Sequence, residues 1–153
     1  MFIPAKKIEY LDDVKFNLYF LDGKIIQYDL KRLFIKYPQF KELKSNRDLF
    51  LNGKLDVGGY GIIWNEELDL SVMSVYECGV LMGFYPVPVN NKIGVALIQA
   101  REIRNLTQSE LSKLTGIDQG DISKLEKGIG NPTVKKLQKL ADGLNMELNI
   151  FFK

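Results

Sequence analysis

The sequence of 153 residues contains no histidine and a single cysteine, Cys78. Histidine is the commonest general base and the commonest ligand of transition metals, so its absence argues against most hydrolytic and metal-dependent enzymes. One cysteine excludes an internal disulfide and a zinc site built from cysteines. Because Cys78 stands among apolar neighbours, we expect it to be buried. The sequence therefore predicts a protein that is not an enzyme and needs no metal or cofactor.

Long apolar runs are also missing. No run approaches the length of about 20 residues that spans a bilayer, and the first residues lack the basic, apolar and small-residue order of a signal peptide. With 46% hydrophobic and 26% charged residues, the composition is typical of a folded chain and not of a disordered one. We expect a cytoplasmic protein without membrane contact, folded as one compact domain or two small ones.

Prolines number five, and two of them fall within residues 83–92, which read "GFYPVPVNNK". Proline is unfavourable in central strands and in helix interiors. The hydrophobic period changes across this stretch from two residues to nearly four. We therefore predict an α+β domain over residues 1–82, a linker over 83–92 and a helical domain over 93–153.

The first domain contains a strong hairpin pattern. Apolar and polar residues alternate over residues 14–20 and again over 26–30, and Asp22 and Gly23 between them favour a two-residue turn. The other predicted elements are short helices over 37–43 and 46–52, one or two strands over 55–64, and a helix that begins near Asp69 or Ser71. These features predict a small α+β domain built on an antiparallel sheet.

The second domain has the pattern of four helices and a terminal strand. Helical spacing of apolar residues extends over residues 90–105, 107–116, 118–128 and 131–143. The predicted caps and terminators are Thr107 with Glu110 in a capping box, Asp118, Asn131 followed by Pro132, Gly128 and Gly143. Over residues 146–152 the apolar residues alternate, which predicts a C-terminal strand.

The second and third of these helices are joined by "LTGID" at residues 114–118. Gly116 can adopt the left-handed conformation, which lets the chain reverse within a few residues and sets the two helices at a steep angle. We expect five apolar side chains to face inward together: Leu111, Leu114, Ile117, Ile122 and Leu125. The outer side of the third helix then carries Gln119, Gly120, Ser123, Lys124 and Lys127. These residues are short or polar, and the major groove of B-DNA admits one such helix.

Residues 93–143 resemble the lambda-repressor-like (Cro/CI, XRE-type) helix-turn-helix family, through "LTQSELSKLTGIDQGDISKLEKG" followed by "NPTVKKLQKLADGLNM". The resemblance implies a DNA-binding domain in which Gln119, Ser123 and Lys124 touch base edges. It also implies that the helix ends at Thr107 and Asp118 approach the DNA backbone. The resemblance further implies that Gln108 grips phosphate or buttresses the neighbouring helix, and that Arg101 forms an internal ion pair with Glu126.

The chemistry of these residues suits DNA. A glutamine at position 119 can make a bidentate bond to adenine, worth about 1–3 kcal/mol of discrimination. From residue 91 onward, ten basic side chains stand against seven acidic ones, a net charge of +3. Asp121 either accepts from a cytosine amine or strengthens the first helical turn through the helix dipole, and we favour the second interpretation. Gly120 leaves room for close approach to the groove. The lysines placed to meet phosphates are Lys113, Lys124, Lys127, Lys135 and Lys136.

The first domain also resembles a known family, domain of unknown function 2442, over residues 8–82. The resemblance lies in "VKFNLYFLDGKIIQYDLKRLF" and "GGYGIIWNEELDLSVMSVYECG". That family recurs in small bacterial proteins, some of them in toxin–antitoxin pairs, and implies no catalytic residues. Trp64 and Tyr60 either line a binding groove or belong to the core, and we favour the core. The acidic residues of this region are interpreted as solvated turn charges, namely Asp56, Glu66, Glu67 and Asp69.

Together these patterns predict a bacterial transcriptional regulator that binds double-stranded DNA at an operator, as a repressor or an antitoxin-type autorepressor. One recognition helix binds weakly, so we expect a homodimer that presents two helices about 34 Å apart. The dimer interface would use the terminal strand or the first helix, which has more apolar residues than its core requires, at Val95, Ile98 and Ile103. Alternatively, these surfaces pack against the N-terminal domain within one chain. The N-terminal domain would bind a protein partner, such as a toxin, or assist dimerisation. The alternative is a protein-interaction module that neutralises a partner protein without binding DNA.

Overall fold

The structure is a computed structural model that describes residues 2–151. The chain divides into two compact units, Phe2–Val87 and Pro88–Lys153, the second described as far as Phe151. Residues 83–84 end a strand and residues 89–92 begin a helix. The segment between the two elements is therefore shorter than the linker predicted over 83–92.

Within residues 2–87, the N-terminal unit has two antiparallel sheets, with strand orders β1-β2-β3-β7 and β4-β5-β6. The strands are β1 (Ala5–Tyr10), β2 (Lys15–Phe20), β3 (Lys24–Asp29), β4 (Lys54–Leu55), β5 (Gly61–Ile63), β6 (Asp69–Ser71) and β7 (Val80–Phe84). The helices are α1 (Glu42–Ser45), α2 (Arg47–Leu51) and α3 (Val72–Cys78), with 3-10 turns at Leu30–Leu33 and Pro38–Lys41. The predicted α+β class of this unit is confirmed.

The predicted hairpin is formed by β2 and β3, with Leu18 opposite Ile26. Its loop, residues 21–23, has three residues and not the two that we predicted. Only Gly23 in this loop has a positive φ, +94°, and the Asp22 carboxylate accepts the backbone N–H of Lys24 at 3.1 Å. A two-residue type I′ turn needs positive φ at both central positions, whereas a three-residue loop needs one left-handed residue.

The two edge strands of the larger sheet, β1 and β7, are not predicted by the sequence patterns. β1 carries adjacent lysines and a register shift between Ala5 and Lys7, which break its alternation. β7 is apolar on both of its faces, and its large side chains are more than half exposed: Val80, Leu81, Met82 and Phe84. Neither strand therefore shows the regular alternation that identifies a half-buried strand.

Aromatic rings fill the core of the N-terminal unit. Trp64 is buried, as expected, and its indole N–H donates to the carbonyl of Phe50 at 2.9 Å. Phe50 in turn packs edge-to-face against Tyr10, with ring centroids 4.7 Å apart. The prediction of a buried Cys78 is wrong, because this residue is exposed at the end of α3. The apolar residues that follow it belong to β7, an edge strand whose large side chains are exposed.

The C-terminal unit contains the four predicted helices, observed as α4 (Val89–Ile103), α5 (Gln108–Thr115), α6 (Gln119–Glu126) and α7 (Val134–Gly143). Their shared core is made by Leu97, Leu111, Ile117, Ile122, Leu125, Leu140 and Leu144. The prediction that Leu114 faces inward is wrong, since 61% of it is exposed. Thr115, four residues after Leu111, takes the inward position, and its hydroxyl donates to the Leu111 carbonyl at 2.7 Å. Within residues 2–151, no helix has both the length and the hydropathy needed to cross a membrane.

The two ends of α7 differ from the prediction. Thr133, and not Asn131, caps the helix by accepting the backbone N–H of Lys136 at 3.1 Å. Gly143 lies inside the last turn and does not terminate the helix; the left-handed residue after it is Asn145, with φ of +51°. A Cβ atom at Gly143 would collide with Cγ2 of Thr115. The glycine therefore permits close packing of α7 on α5.

Residues 146–151 form no strand with any other described residue. The C-terminal strand predicted within the chain is therefore wrong for these residues, and Phe152, at the end of that prediction, lies outside the described residues. A strand needs a neighbour to pair its backbone groups, and the described part of this unit is otherwise helical.

Candidate nucleic-acid interface

The joint between α5 and α6 satisfies its own polar groups. Gly116 has φ of +66°, and its N–H donates to the carbonyl of Ser112 at 2.7 Å. The Ser112 hydroxyl donates to the carbonyl of Ile117 at 2.6 Å, and the Ile117 N–H donates to the hydroxyl of Thr115 at 3.2 Å. Ile117 itself is buried in the core. These contacts fix the angle at which α6 leaves α5.

The predicted ion pair between the first and third helices of this unit is confirmed. Arg101 donates from Nε and Nη2 to the two carboxylate oxygens of Glu126, at 2.6 and 3.0 Å. Glu126 is fully buried and also accepts the side-chain amide of Gln108 at 2.8 Å. The guanidinium makes a further bond to the carbonyl of Leu106 at 2.7 Å. Of the two roles that the resemblance implied for Gln108, this geometry shows the buttress, so α4, α5 and α6 are linked through one carboxylate.

The start of α5 has the predicted capping box. The hydroxyl of Thr107 accepts the N–H of Glu110 at 3.1 Å, while the Glu110 carboxylate accepts the N–H of Thr107 at 2.7 Å. That backbone hydrogen bond, followed by the bond from the Thr107 hydroxyl, lowers the pKa of Glu110 below its usual value. Thr107 is exposed, so the positive end of the α5 dipole is open to solvent and attractive to an anion.

The outer side of α6 is polar and accessible. Asp118 caps the helix by accepting the N–H of Gly120 at 2.8 Å. On the opposite side of the helix, Ile122 and Leu125 are buried in the core. The five residues predicted for the outer side are found there: Gln119, Gly120 and Lys124 are exposed, and Ser123 and Lys127 are half-buried. The structure thus places these residues together on one side of α6, whose other side is anchored in the core.

Asp121 makes an ion pair that the sequence analysis missed. Its carboxylate accepts Nζ of Lys136 on α7 at 2.7 Å. This hydrogen bond, and then the charge of Lys136, lowers the pKa of Asp121 below its usual value. The two residues lie on separate helices and are 15 positions apart, so no spacing rule for a single helix relates them. The pair brings the first turn of α7 beside α6. It also engages Lys136, one of the lysines predicted to contact phosphates.

Of the other lysines predicted to meet phosphates, Lys113 on α5, Lys124 on α6 and Lys135 on α7 are exposed. Lys135 is adjacent in sequence to Lys136 and therefore lies in the turn of α7 that meets α6. Exposed ammonium groups of this kind can contact phosphates of a DNA backbone.

The N-terminal unit shows no comparable constellation among its described residues. Asp56 accepts the backbone N–H of Tyr60 at 2.9 Å, which makes it part of a turn. Glu66, Glu67 and Asp69 are exposed. Within residues 2–151, no three histidine, cysteine or acidic side chains are grouped so as to hold a metal ion.

Comparisons with known proteins agree with both resemblances. Residues 97–151 match the family model described as helix-turn-helix. Residues 5–79 match the family described as protein of unknown function (DUF2442). The two resemblances identified from the sequence are thus confirmed for their parts of the chain, and the C-terminal unit matches a helix-turn-helix domain. A search of curated proteins finds no match.

Among solved structures, one similar chain comes from Nitrosomonas europaea ATCC 19718 and is described as a "Putative DNA Binding Protein". It is 12% identical in sequence, with a TM-score of 0.44. The similarity covers 92% of the present chain and 85% of the other.

Proposed function

We propose that this chain is a transcriptional repressor that inserts α6 into the major groove of an operator in double-stranded DNA. The observation that carries the proposal is the polar, exposed side of α6, on a helix whose opposite side is buried in the core. A helix that serves mainly to contact proteins presents an apolar stripe to its partner. The outer side of α6 instead carries amide, hydroxyl and ammonium groups, which match the hydrogen-bonding edges of bases.

Each residue of the predicted site has a role in this proposal. Gln119, Ser123 and Lys124 read base edges, with Gln119 suited to adenine. Gly120 allows close approach to the groove, and the N-termini of α5 and α6, at Thr107 and Asp118, meet the DNA backbone. Two further roles belong to Lys127, which binds phosphate, and to Gln108, which holds α6 in place through Glu126.

The proposed regulator acts as a homodimer, because two recognition helices about 34 Å apart bind a palindromic site far better than one. The N-terminal unit binds a protein partner or assists dimerisation. When that partner is a toxin, the protein is an antitoxin that represses its own operon. No catalytic step is part of this proposal.

Selection from a random duplex library, followed by a mobility-shift titration, tests the proposal. The wild-type chain is expected to enrich one palindromic sequence. The double substitution Gln119→Ala with Lys124→Ala is expected to abolish the preference for that sequence, since the glutamine contact alone is worth about 1–3 kcal/mol. The matched control is Gln39→Ala with Lys41→Ala, which removes the same residue types from exposed positions of the N-terminal unit. Enrichment of no sequence, or retained specificity in the α6 variant, would overturn the proposal.

Salt dependence separates this function from the alternative of a protein-interaction module. Operator affinity should fall linearly with salt on a double logarithmic plot, by about 0.9 units of slope for each phosphate neutralised. Lys113→Ala should lower the slope by about one such unit while leaving the sequence preference unchanged. Binding of a partner protein with no measurable affinity for any duplex would favour the alternative.

A further inference from the structure

We propose that residues 146–151 of two copies of this chain pair as antiparallel strands about a two-fold axis. The pairing supplies the homodimer and covers an apolar groove of the C-terminal unit. This inference rests on the homodimer of the proposed function. It does not depend on whether α6 recognises bases.

The segment has the pattern of a strand without a strand's hydrogen bonds. Met146, Leu148 and Ile150 alternate with Glu147 and Asn149, so in an extended chain the three apolar side chains lie on one face. Among described residues, none of the backbone groups of residues 147–151 takes part in a backbone hydrogen bond. An extended segment with open N–H and C=O groups is a template for pairing with another strand.

The same segment forms one wall of an apolar groove. The groove has a volume of about 570 Å³, and its other walls come from α4, including Ile93 and Leu97, and from α7, including Leu137. Beside it, Ile150 is 55% exposed and Phe151 is 79% exposed. Exposed apolar residues at the edge of an apolar cleft indicate an occupant that is apolar. An occupant that also pairs with the open backbone must be an extended strand.

A second copy of the segment meets both requirements without a clash of charges. Pairing centred on Leu148 places this residue opposite its own counterpart and Met146 opposite Ile150 of the second copy. Glu147 then lies opposite Asn149, so a carboxylate meets an amide that can donate to it. A register centred on Glu147 would instead place two carboxylates directly opposite each other, which is unfavourable. In the register centred on Leu148 the segment is therefore complementary to a second copy of itself, with apolar side chains paired on one face and a carboxylate paired with an amide on the other.

Disulfide trapping tests the pairing in the full-length chain, in a Cys78→Ser background. At the two-fold position, Leu148→Cys places two Cα atoms about 4.5–5.5 Å apart, within the range of about 4.4–6.8 Å that a disulfide spans. We expect it to form covalent dimers under mild oxidation at least tenfold faster than Gln138→Cys, an exposed position on α7. Glu147→Cys and Asn149→Cys should each cross-link slowly alone and rapidly when the two proteins are mixed.

Sedimentation provides the second measurement. Leu148→Asp should convert the dimer to a monomer with unchanged helix content, whereas Gln138→Asp, the control at an exposed position of α7, should leave the dimer intact. A wild-type chain that is monomeric, or a dimer in which Leu148→Cys reacts no faster than Gln138→Cys, would overturn the pairing. A monomer that still reads an operator would overturn this inference alone. A trapped dimer that enriches no sequence would overturn the proposed function alone.

Discussion

Replacement of Glu126 by alanine should destabilise the C-terminal unit more than any surface change. The carboxylate is fully buried and accepts three hydrogen bonds of 2.6 to 3.0 Å, two from Arg101 and one from Gln108. Its loss removes both carboxylate acceptors from the Arg101 side chain, which is only 16% exposed, although the bond to the Leu106 carbonyl remains. Removal of one partner from a buried ion pair costs about 3–5 kcal/mol. This is a large part of the about 5–15 kcal/mol that stabilises a typical domain.

Urea unfolding followed by two probes measures the effect. Circular dichroism at a helix wavelength reports mainly on the helical C-terminal unit. The chain has one tryptophan, Trp64, so its fluorescence reports on the N-terminal unit. A loss of about 3 kcal/mol lowers the midpoint of a transition by about 1–3 M urea. Glu126→Ala should therefore shift the helix transition by that amount and leave the Trp64 transition unchanged.

A double substitution tests whether the stability cost of Glu126→Ala comes from the buried charge of Arg101 or from the cavity that alanine leaves. Arg101→Met combined with Glu126→Leu replaces the pair by apolar side chains, and such replacements are often neutral or stabilising. The double variant should therefore be more stable than Glu126→Ala. A cost below about 1 kcal/mol for Glu126→Ala, or a double variant that is no more stable than the single one, would refute the reasoning.

Two further substitutions test contacts of α7. Gly143→Ala should lower the stability of the C-terminal unit by about 1–3 kcal/mol, because its methyl group would collide with Thr115; Lys139→Ala, at an exposed site of the same helix, is the control, and an unchanged Tm for Gly143→Ala would contradict the packing. Asp121 has a pKa below its ordinary value of 3.8 because of Lys136, so the stability from this pair is present above that value and lost as pH falls through the folded-state pKa. Asp121→Asn should make the decline of Tm below about pH 5 shallower, and an identical decline in both proteins would count against the pair.

Local patterns were sufficient for much of the candidate site. The capping box at Thr107, the left-handed Gly116 and the polar outer side of α6 each depend on residues a few positions apart, within one helix or one turn. The Arg101–Glu126 pair spans 25 positions, and it was identified because the helix-turn-helix resemblance carried it, not because any spacing predicted it.

Other features were decided by packing between elements. Positions three and four residues after a buried helical residue both lie on its side of the helix. After Leu111, either Leu114 or Thr115 could therefore face the core. The approach of α7 through Gly143 leaves the inward position to Thr115. The burial of Cys78 was mispredicted because apolar neighbours in sequence do not show whether their strand lies at the centre or the edge of a sheet.

The sequence by itself determined the hairpin, the four C-terminal helices and the side of α6 that faces outward, because hydrophobic period and capping chemistry act over a single turn or strand. Only the tertiary structure decided that Lys136 is engaged by Asp121, that Gln108 supports Glu126, and that residues 146–151 have no strand partner among the described residues of the chain. These outcomes depend on distances between elements far apart in the chain. Such distances arise when helices pack, and no local spacing of residues specifies them.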